Sequence, residues 1–520
     1  MAITLKEKIG QLFMPAAFVN DTAEGIEEIE NLIREHHVGG LTFFHSRAMA
    51  VTNYGKKQDV VRNEKSAERL TALIQHYQSI SKYPLLMSID AEWGLAMRLE
   101  NTEQYPYNLT LGACGDTSLA YKVGEAIGID LKNCGIHLNL APVVDINTDP
   151  GNPVIGYRSF GHDKKKVTEM SLAYYQGLQS VGVLACAKHF PGHGDTNVDS
   201  HLALPQINKT TEQLYEEELV PFKAAISAKI ACIMSGHLSV PALGDSKPAS
   251  ISSKILINLL RKELGFEGVI FSDALNMQAV AKMFPQPGKL ELEALKAGND
   301  LLSFSHNIAA GIDLIAEQMS EQRVDESYQR LLQLKRSTCS SDAWRKTDQA
   351  YKTPPEEIRK QIASEGITQI KDNHQFDVQK FERLTVLNCY AESGETAFSK
   401  ALIRETNKHV STQDFLAYFE DKKASSSVTE EIIICLYVPE IKPHNQFGLE
   451  EAVMHKLEIL LKQTNACLVI FGNPYALKYI PHTNAHKVLM AYQQMTEFEQ
   501  QAAAIIAGKA IAKGILPYAI

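Results

Sequence analysis

Val183-Leu184-Ala185-Cys186-Ala187-Lys188-His189-Phe190-Pro191-Gly192-His193-Gly194-Asp195-Thr196 is an apolar run that ends in Lys-His and hands over to a Pro/Gly loop. A buried strand that delivers polar side chains into a pocket has this form, and the loop behind it is where proton-transfer groups are carried. A carboxylate and an imidazole follow, two residues apart, in Asp199-Ser200-His201.

Outward from this stretch the same form recurs. Apolar runs at 12–18, 40–44, 85–90, 137–146, 183–190, 231–237, 269–273 and 300–304 alternate with amphipathic stretches such as Ile26-Ile29-Ile33 and Leu70-Leu73-Ile74-Tyr77. The second kind repeats at helical i, i+3, i+4, i+7 spacing. Eight strands alternating with helices predict a (β/α)8 barrel of the TIM type over residues 1–340. The polar exceptions sit at the C-terminal ends of the runs: Asp90, Asp145, Lys188 with His189, His237 and Asp273. Barrel active sites are built at that face. A single carboxylate there is ordinarily a cap for the next helix, but five strand ends together point to a pocket.

Behind the barrel, 341–380 reads as a polar linker and connecting helix. Residues 381–520 read as a smaller α/β sandwich, with strands at 384–389, 432–438 and 467–471 and helices near 395–405, 450–463 and 498–513. No catalytic constellation stands out in it.

The string from Lys188 to Thr196, with Asp199-Ser200-His201, resembles the signature of the β-N-acetylglucosaminidases of glycoside hydrolase family 3, in the two-domain, peptidoglycan-recycling bacterial form. The resemblance implies that Asp199 and His201 are an acid/base dyad. An imidazole titrates near ~6.5 and exchanges a proton near neutrality, and a neighbouring carboxylate favours its charged form. Gly268 to Met277 holds Ser272-Asp273-Ala274-Leu275-Asn276-Met277. As residues alone, Asp273 is either a helix N-cap or a nucleophile held by its strand; the resemblance to the family's nucleophile motif implies the second. Asp90 to Arg98 resembles the family's sugar-holding motif and implies that Asp90 and Arg98 meet sugar hydroxyls. Residues 152–161 are similar to its substrate loop, which carries Arg158, and Lys188 and His189 are implied hydroxyl donors. Two positions stay open. Trp93 either stacks on a sugar or packs under its loop, and His237 is either a direct contact or a satisfied structural histidine. His162 and His193 read as structural.

The implied activity is a retaining exo-β-N-acetylglucosaminidase working through a glycosyl-Asp intermediate. Its implied substrates are peptidoglycan-derived muropeptides of the GlcNAc-anhydroMurNAc type or chito-oligosaccharides. The alternatives are a phosphorylase, because a histidine acid/base does not repel phosphate, a non-catalytic sugar-binding protein, and a β-glucosidase. In the last, the family places a Glu acid/base in the second domain.

Composition narrows the partners. The formal charge is −9, and 45% hydrophobic with 22% charged residues suits a soluble chain with a large core. No basic block exceeds Lys164-Lys165-Lys166, so nucleic acid and anionic membranes are not expected partners. The partner expected is a carbohydrate, taken by a monomer or homodimer. Eight scattered cysteines without a CxxC pair read as buried thiols, not as zinc ligands or a disulfide framework, and fit a reducing, cytoplasmic compartment. No run of eighteen apolar residues exists to span a membrane. Lys6-Glu7-Lys8 ahead of 9–19 faintly imitates a signal peptide, which would make the protein periplasmic, but Gln11 and Pro15 interrupt the run and it reads equally as the first strand. No cofactor or metal is expected. Gly192-x-Gly194 lacks the following helix of a dinucleotide fingerprint.

Overall fold

Each of the eight apolar runs contributes a parallel strand, and the ring of strands closes. The computed structural model describes residues 3–46, 63–196, 204–339, 348–391, 394–422 and 431–519. These fall into two compact units: Met1–Tyr105, Ala120–Ser159 and Asp163–Thr353 in the first, and Pro106–Leu119, Phe160–His162 and Pro354–Ile520 in the second.

In the first unit β1 is formed by Phe13–Met14 and Ala16–Phe18, interrupted at Pro15, which has no N–H to give. It is followed by β2 (Gly40–Phe44), β3 (Leu86–Ile89), β4 (Leu138–Asn139), β5 (Leu184–Phe190), β6 (Cys232–Ser235), β7 (Val269–Ser272) and β8 (Leu302–Ser303). Neighbours pair in sequence order from β1 to β7. Closure comes from β8. Ser272 N–H donates to Leu301 O at 2.9 Å, and Leu302 N–H donates to Leu12 O at 2.8 Å. Phe13 and Met14 register with Leu302 and Ser303. The fourth run is shorter than the ten residues the sequence suggested, because Pro142 cannot continue the ladder. Only Leu138–Asn139 pair as a strand, and Val143 returns to bridge Lys188.

Helices fill the intervals as the apolar spacing requires. Thr22 caps Ala23–His36, which buries Ile29 and Ile33. Ser66–Ile80 buries Leu70, Leu73, Ile74 and Tyr77. All eight cysteines are buried thiols. Among the described residues no helix is long and apolar enough to cross a membrane.

The second unit is an α/β sandwich around a six-stranded sheet. Its strands are β9 (Thr368–Asp372), β10 (Arg383–Cys389), β11 (His409–Asp414), β12 (Glu431–Tyr437), β13 (Cys467–Phe471) and β14 (Lys487–Tyr492), in the order β9-β14-β13-β12-β10-β11. All pairs but β9–β14 are parallel. The structure thus adds three strands that the sequence reading lacked. One of them, β9, lies with the helix Pro355–Gly366 inside the stretch assigned to linker and connecting helix; both belong to this unit. The last helix, Thr496–Ile506, stops seven residues short of the expected 513, where Gly508 turns left-handed with φ +73.

Candidate active site

Parallel closure puts the C-terminal ends of all eight strands on one rim, and the polar residues gather there. Asp90 follows β3 directly. Its Oδ1 accepts from Lys188 Nζ at 2.7 Å and its Oδ2 from Arg98 Nη2 at 3.0 Å. Lys188, on β5, also reaches Glu92 Oε1 at 2.8 Å. Arg158 closes the cluster on Glu92, with Nε donating to Oε2 at 3.0 Å and to Oε1 at 3.3 Å, and Nη2 to Oε1 at 2.7 Å. Glu92 and Lys188 are almost wholly withdrawn from water. Burial alone would raise the Asp90 and Glu92 carboxyls. Lys188 with Arg98 in the first case, and Arg158 with Lys188 in the second, overcome it and hold both below the usual carboxylate range. Burial likewise opposes the charge on Lys188, and Asp90 and Glu92 hold it above its ordinary value. Five ionised side chains thus stand fixed before any ligand arrives.

A second group is built on Asp145. Its Oδ2 lies 2.8 Å from His189 Nδ1, and its Oδ1 accepts the backbone N–H of His189 at 3.1 Å and of His193 at 2.8 Å. Asp145 therefore orients the His189 ring and ties down the turn that follows β5. His193 is buried in that turn. Its Nδ1 lies 2.8 Å from Thr196 Oγ1, and burial, reinforced by the charge of His189, pushes it down to about 4, so it is neutral near pH 7.

Asp273 ends β7 half-buried, with its N–H on Ser235 O at 3.0 Å and its Oδ1 accepting from Ala274 N–H at 2.7 Å. The next helix is Gln278–Ala281 with Met277 at its N-cap, so Asp273 caps no helix. It stands on the rim that carries the cation cluster, and the Cys186 thiol, pushed up by burial and by Cys232, feels the charges of Lys188, Asp90 and Asp273.

For His237 the two readings are a sugar contact and a satisfied structural histidine. It is fully buried, Nδ1 lies 2.7 Å from Ser250 Oγ, and Nε2 lies 2.9 Å from Ala274 O. Both ring nitrogens are spent on protein, and the second holds the residue next to Asp273. Trp93 is half-exposed, with its ring 5.6 Å from that of Tyr157. Asp199 and His201 lie outside the described residues.

Glu92 is the residue that sequence reasoning missed. Charge balance could have found it, since with Asp145 spent on His189 the three cations Arg98, Arg158 and Lys188 outnumber the carboxylates the sequence reading set beside them. No group of three or more His, Cys, Asp or Glu among the described residues could hold a metal ion.

Gly194 shows how tightly the turn is seated. A Cβ there would stand 1.8 Å from Ile146 O, so Gly194→Ala must displace the turn. Its kcat/KM on a glycoside is expected to fall about 10²-fold while the variant still folds. Unchanged kcat/KM would mean that the turn does not set the chemistry.

A family model described as the glycosyl hydrolase family 3 N terminal domain matches residues 4–334. A β-hexosaminidase A of Pseudoalteromonas piscicida is 36% identical over 294 residues, which are 53% of this chain and 47% of that protein. A β-N-acetylglucosaminidase/β-glucosidase of Cellulomonas fimi is 29% identical over 347 residues, 64% of this chain and 57% of the other. The chain thus spans about half the length of these relatives. A solved glycoside hydrolase family 3 β-N-acetylglucosaminidase from Paenibacillus sp. str. FPU-7 superposes with a TM-score of 0.79 at 29% identity, covering 100% of this chain and 99% of that one.

Proposed function

The chain belongs to glycosyl hydrolase family 3, and from that premise we propose that it is a retaining exo-β-N-acetylglucosaminidase. The observation that carries the reading is Asp273: a half-buried carboxylate at a strand end, spent on no helix cap, on the rim that holds the Asp90–Lys188–Glu92 cluster. The names of the relatives support N-acetylhexosamine as the sugar.

Asp273 attacks the anomeric carbon as the glycosidic bond breaks, and His201, oriented by Asp199, gives its proton to the leaving oxygen. A glycosyl-Asp ester remains. His201, now neutral, takes a proton from water, which attacks the same carbon from the face the aglycone left. GlcNAc departs in its original configuration and Asp273 is released as a carboxylate. Asp90, Arg98, Lys188, His189 and Arg158 hold the sugar. Lys188 has three N–H groups, of which Asp90 and Glu92 take two, so one remains for a hydroxyl. With Asp145 on Nδ1, His189 meets the ligand through Nε2. The substrates are muropeptides of the GlcNAc-anhydroMurNAc type or chito-oligosaccharides.

His201→Ala tests the proton-transfer role. On an aryl glycoside with a poor leaving group, kcat/KM is expected to drop by about 10²–10⁴, and far less with a good one that needs no protonation. Equal losses on both would remove His201 from that role.

A further inference from the structure

We propose that Glu218, which the reaction itself does not touch, is a positioning residue that fixes both stems of the loop bearing Asp199 and His201 and so governs proton delivery to the leaving group. The inference rests on the dyad reading above.

The outgoing stem runs from Pro191 to Thr196. It is held by Asp145 on the His193 N–H, by Asn152 Nδ2 on His193 O at 3.0 Å, and by Thr148, whose N–H donates to Gly194 O at 3.2 Å. The return stem runs from Pro205 to Lys209. Ile207 N–H donates to Ser239 O and Ser239 N–H to Pro205 O, both at 2.9 Å. Each stem is thus tied to the barrel separately.

Glu218 joins them. It stands just before the helix Leu219–Ser227 and is 1% exposed. On one side its Oε1 accepts from Lys209 Nζ at 2.5 Å, while the same ammonium donates to Glu217 Oε2 at 2.6 Å. On the other side it supports Gly192, where a Cβ would stand 2.9 Å from Glu218 Cβ and 3.0 Å from Oε2, and where φ is +134. Only glycine accepts that φ and that contact together. Oε2 is buried with no hydrogen-bond partner among the described residues. An apolar side chain of similar size would fill this space at less cost than a half-satisfied carboxylate. What the carboxylate adds is a directional link to the far stem.

Charged groups surround Glu218 on each side: Lys209 on the return stem, Asp195 on the outgoing stem and Asp145 on the loop after β4. Burial pushes its carboxyl up to about 7, against the pull of Lys209 and with the help of Asp145 and Asp195. Below that pH the proton removes the charge that holds Lys209, and the link loosens on the acid side.

The test uses Glu218→Gln, which keeps the shape and removes the charge, and Lys209→Met, which removes the partner. Both are compared with His201→Ala in kcat/KM on aryl β-N-acetylglucosaminides bearing good and poor leaving groups, with a thermal midpoint for each variant. Glu218→Gln and Lys209→Met are expected to lose about tenfold on the poor leaving group and to stay within about twofold on the good one. The acid limb of Glu218→Gln should also be flatter than that of the wild type. Equal losses on both substrates, or none, would overturn the inference. If Glu218→Gln does not fold, Lys209→Met is held to the same two outcomes. A His201→Ala variant without leaving-group preference would instead fail the dyad reading itself.

Discussion

Asp273→Ala is expected to lower kcat/KM on aryl β-N-acetylglucosaminides by about 10⁴-fold or more, the scale on which removal of a nucleophile acts. The loss should exceed that of any other single change on the rim, because without the carboxylate no covalent intermediate forms and the stabilising groups have nothing to stabilise. The fold should be little affected. Asp273 is half-exposed, and His237 keeps the Ala274 carbonyl and its loop in place without it. The space left by the side chain admits azide, which is expected to restore turnover and to yield the α-configured glycosyl azide, since it attacks from the side the carboxylate occupied. Near wild-type activity in Asp273→Ala, or a β-configured azide, would assign the nucleophile elsewhere.

Lys188→Met is expected to have the largest effect on stability, about 3–5 kcal/mol, because removing one member of a buried ion pair strands its partners. Here it strands two. Among the described cations Asp90 would keep Arg98, and Glu92, itself almost wholly withdrawn from water, would keep Arg158. A shift in the urea midpoint measures it. Neutralising one stranded carboxylate in the same chain, Lys188→Met with Glu92→Gln, should recover part of the loss, which two independent mutations would not do. A cost below about 1 kcal/mol for Lys188→Met would mean that the five charges do not act as a cluster.

The barrel was legible because each strand had to be apolar to be buried on both faces. Small polar residues such as Thr42 and Ser88 bond each other inside the sheet, whereas the acidic and basic side chains gather where the runs stop, at Asp90, Asp145, Lys188 with His189, and Asp273. Edge strands carry no such signal. β11 (His409–Asp414) is polar and largely open to water, and β9 (Thr368–Asp372) buries only Thr368. Neither shows an apolar run to read. β14 (Lys487–Tyr492) is apolar, but Leu489, Met490 and Ala491 are helix formers and lend it little strand character. In the site, motif reading found the residues expected to face a sugar and passed over those that face one another. Glu92 is the partner of Arg158 and Lys188, and Asp145 is the partner of His189. Such partners are set by three-dimensional contact between separate strand ends, and one strand's sequence does not announce what stands beside it. His237 stands at a strand end, as the pattern asks, with both nitrogens on protein groups, and a strand end alone does not tell these two situations apart.

The most direct measurement is the proton spectrum of an aryl β-N-acetylglucosaminide during its first minutes with the enzyme, with and without inorganic phosphate. Release of N-acetylglucosamine first as the β-anomer, at a rate that phosphate does not change, is the result expected of a retaining hydrolase using Asp273 as nucleophile. First appearance of the α-anomer, formation of a sugar 1-phosphate, or binding of the glycoside without turnover would contradict it.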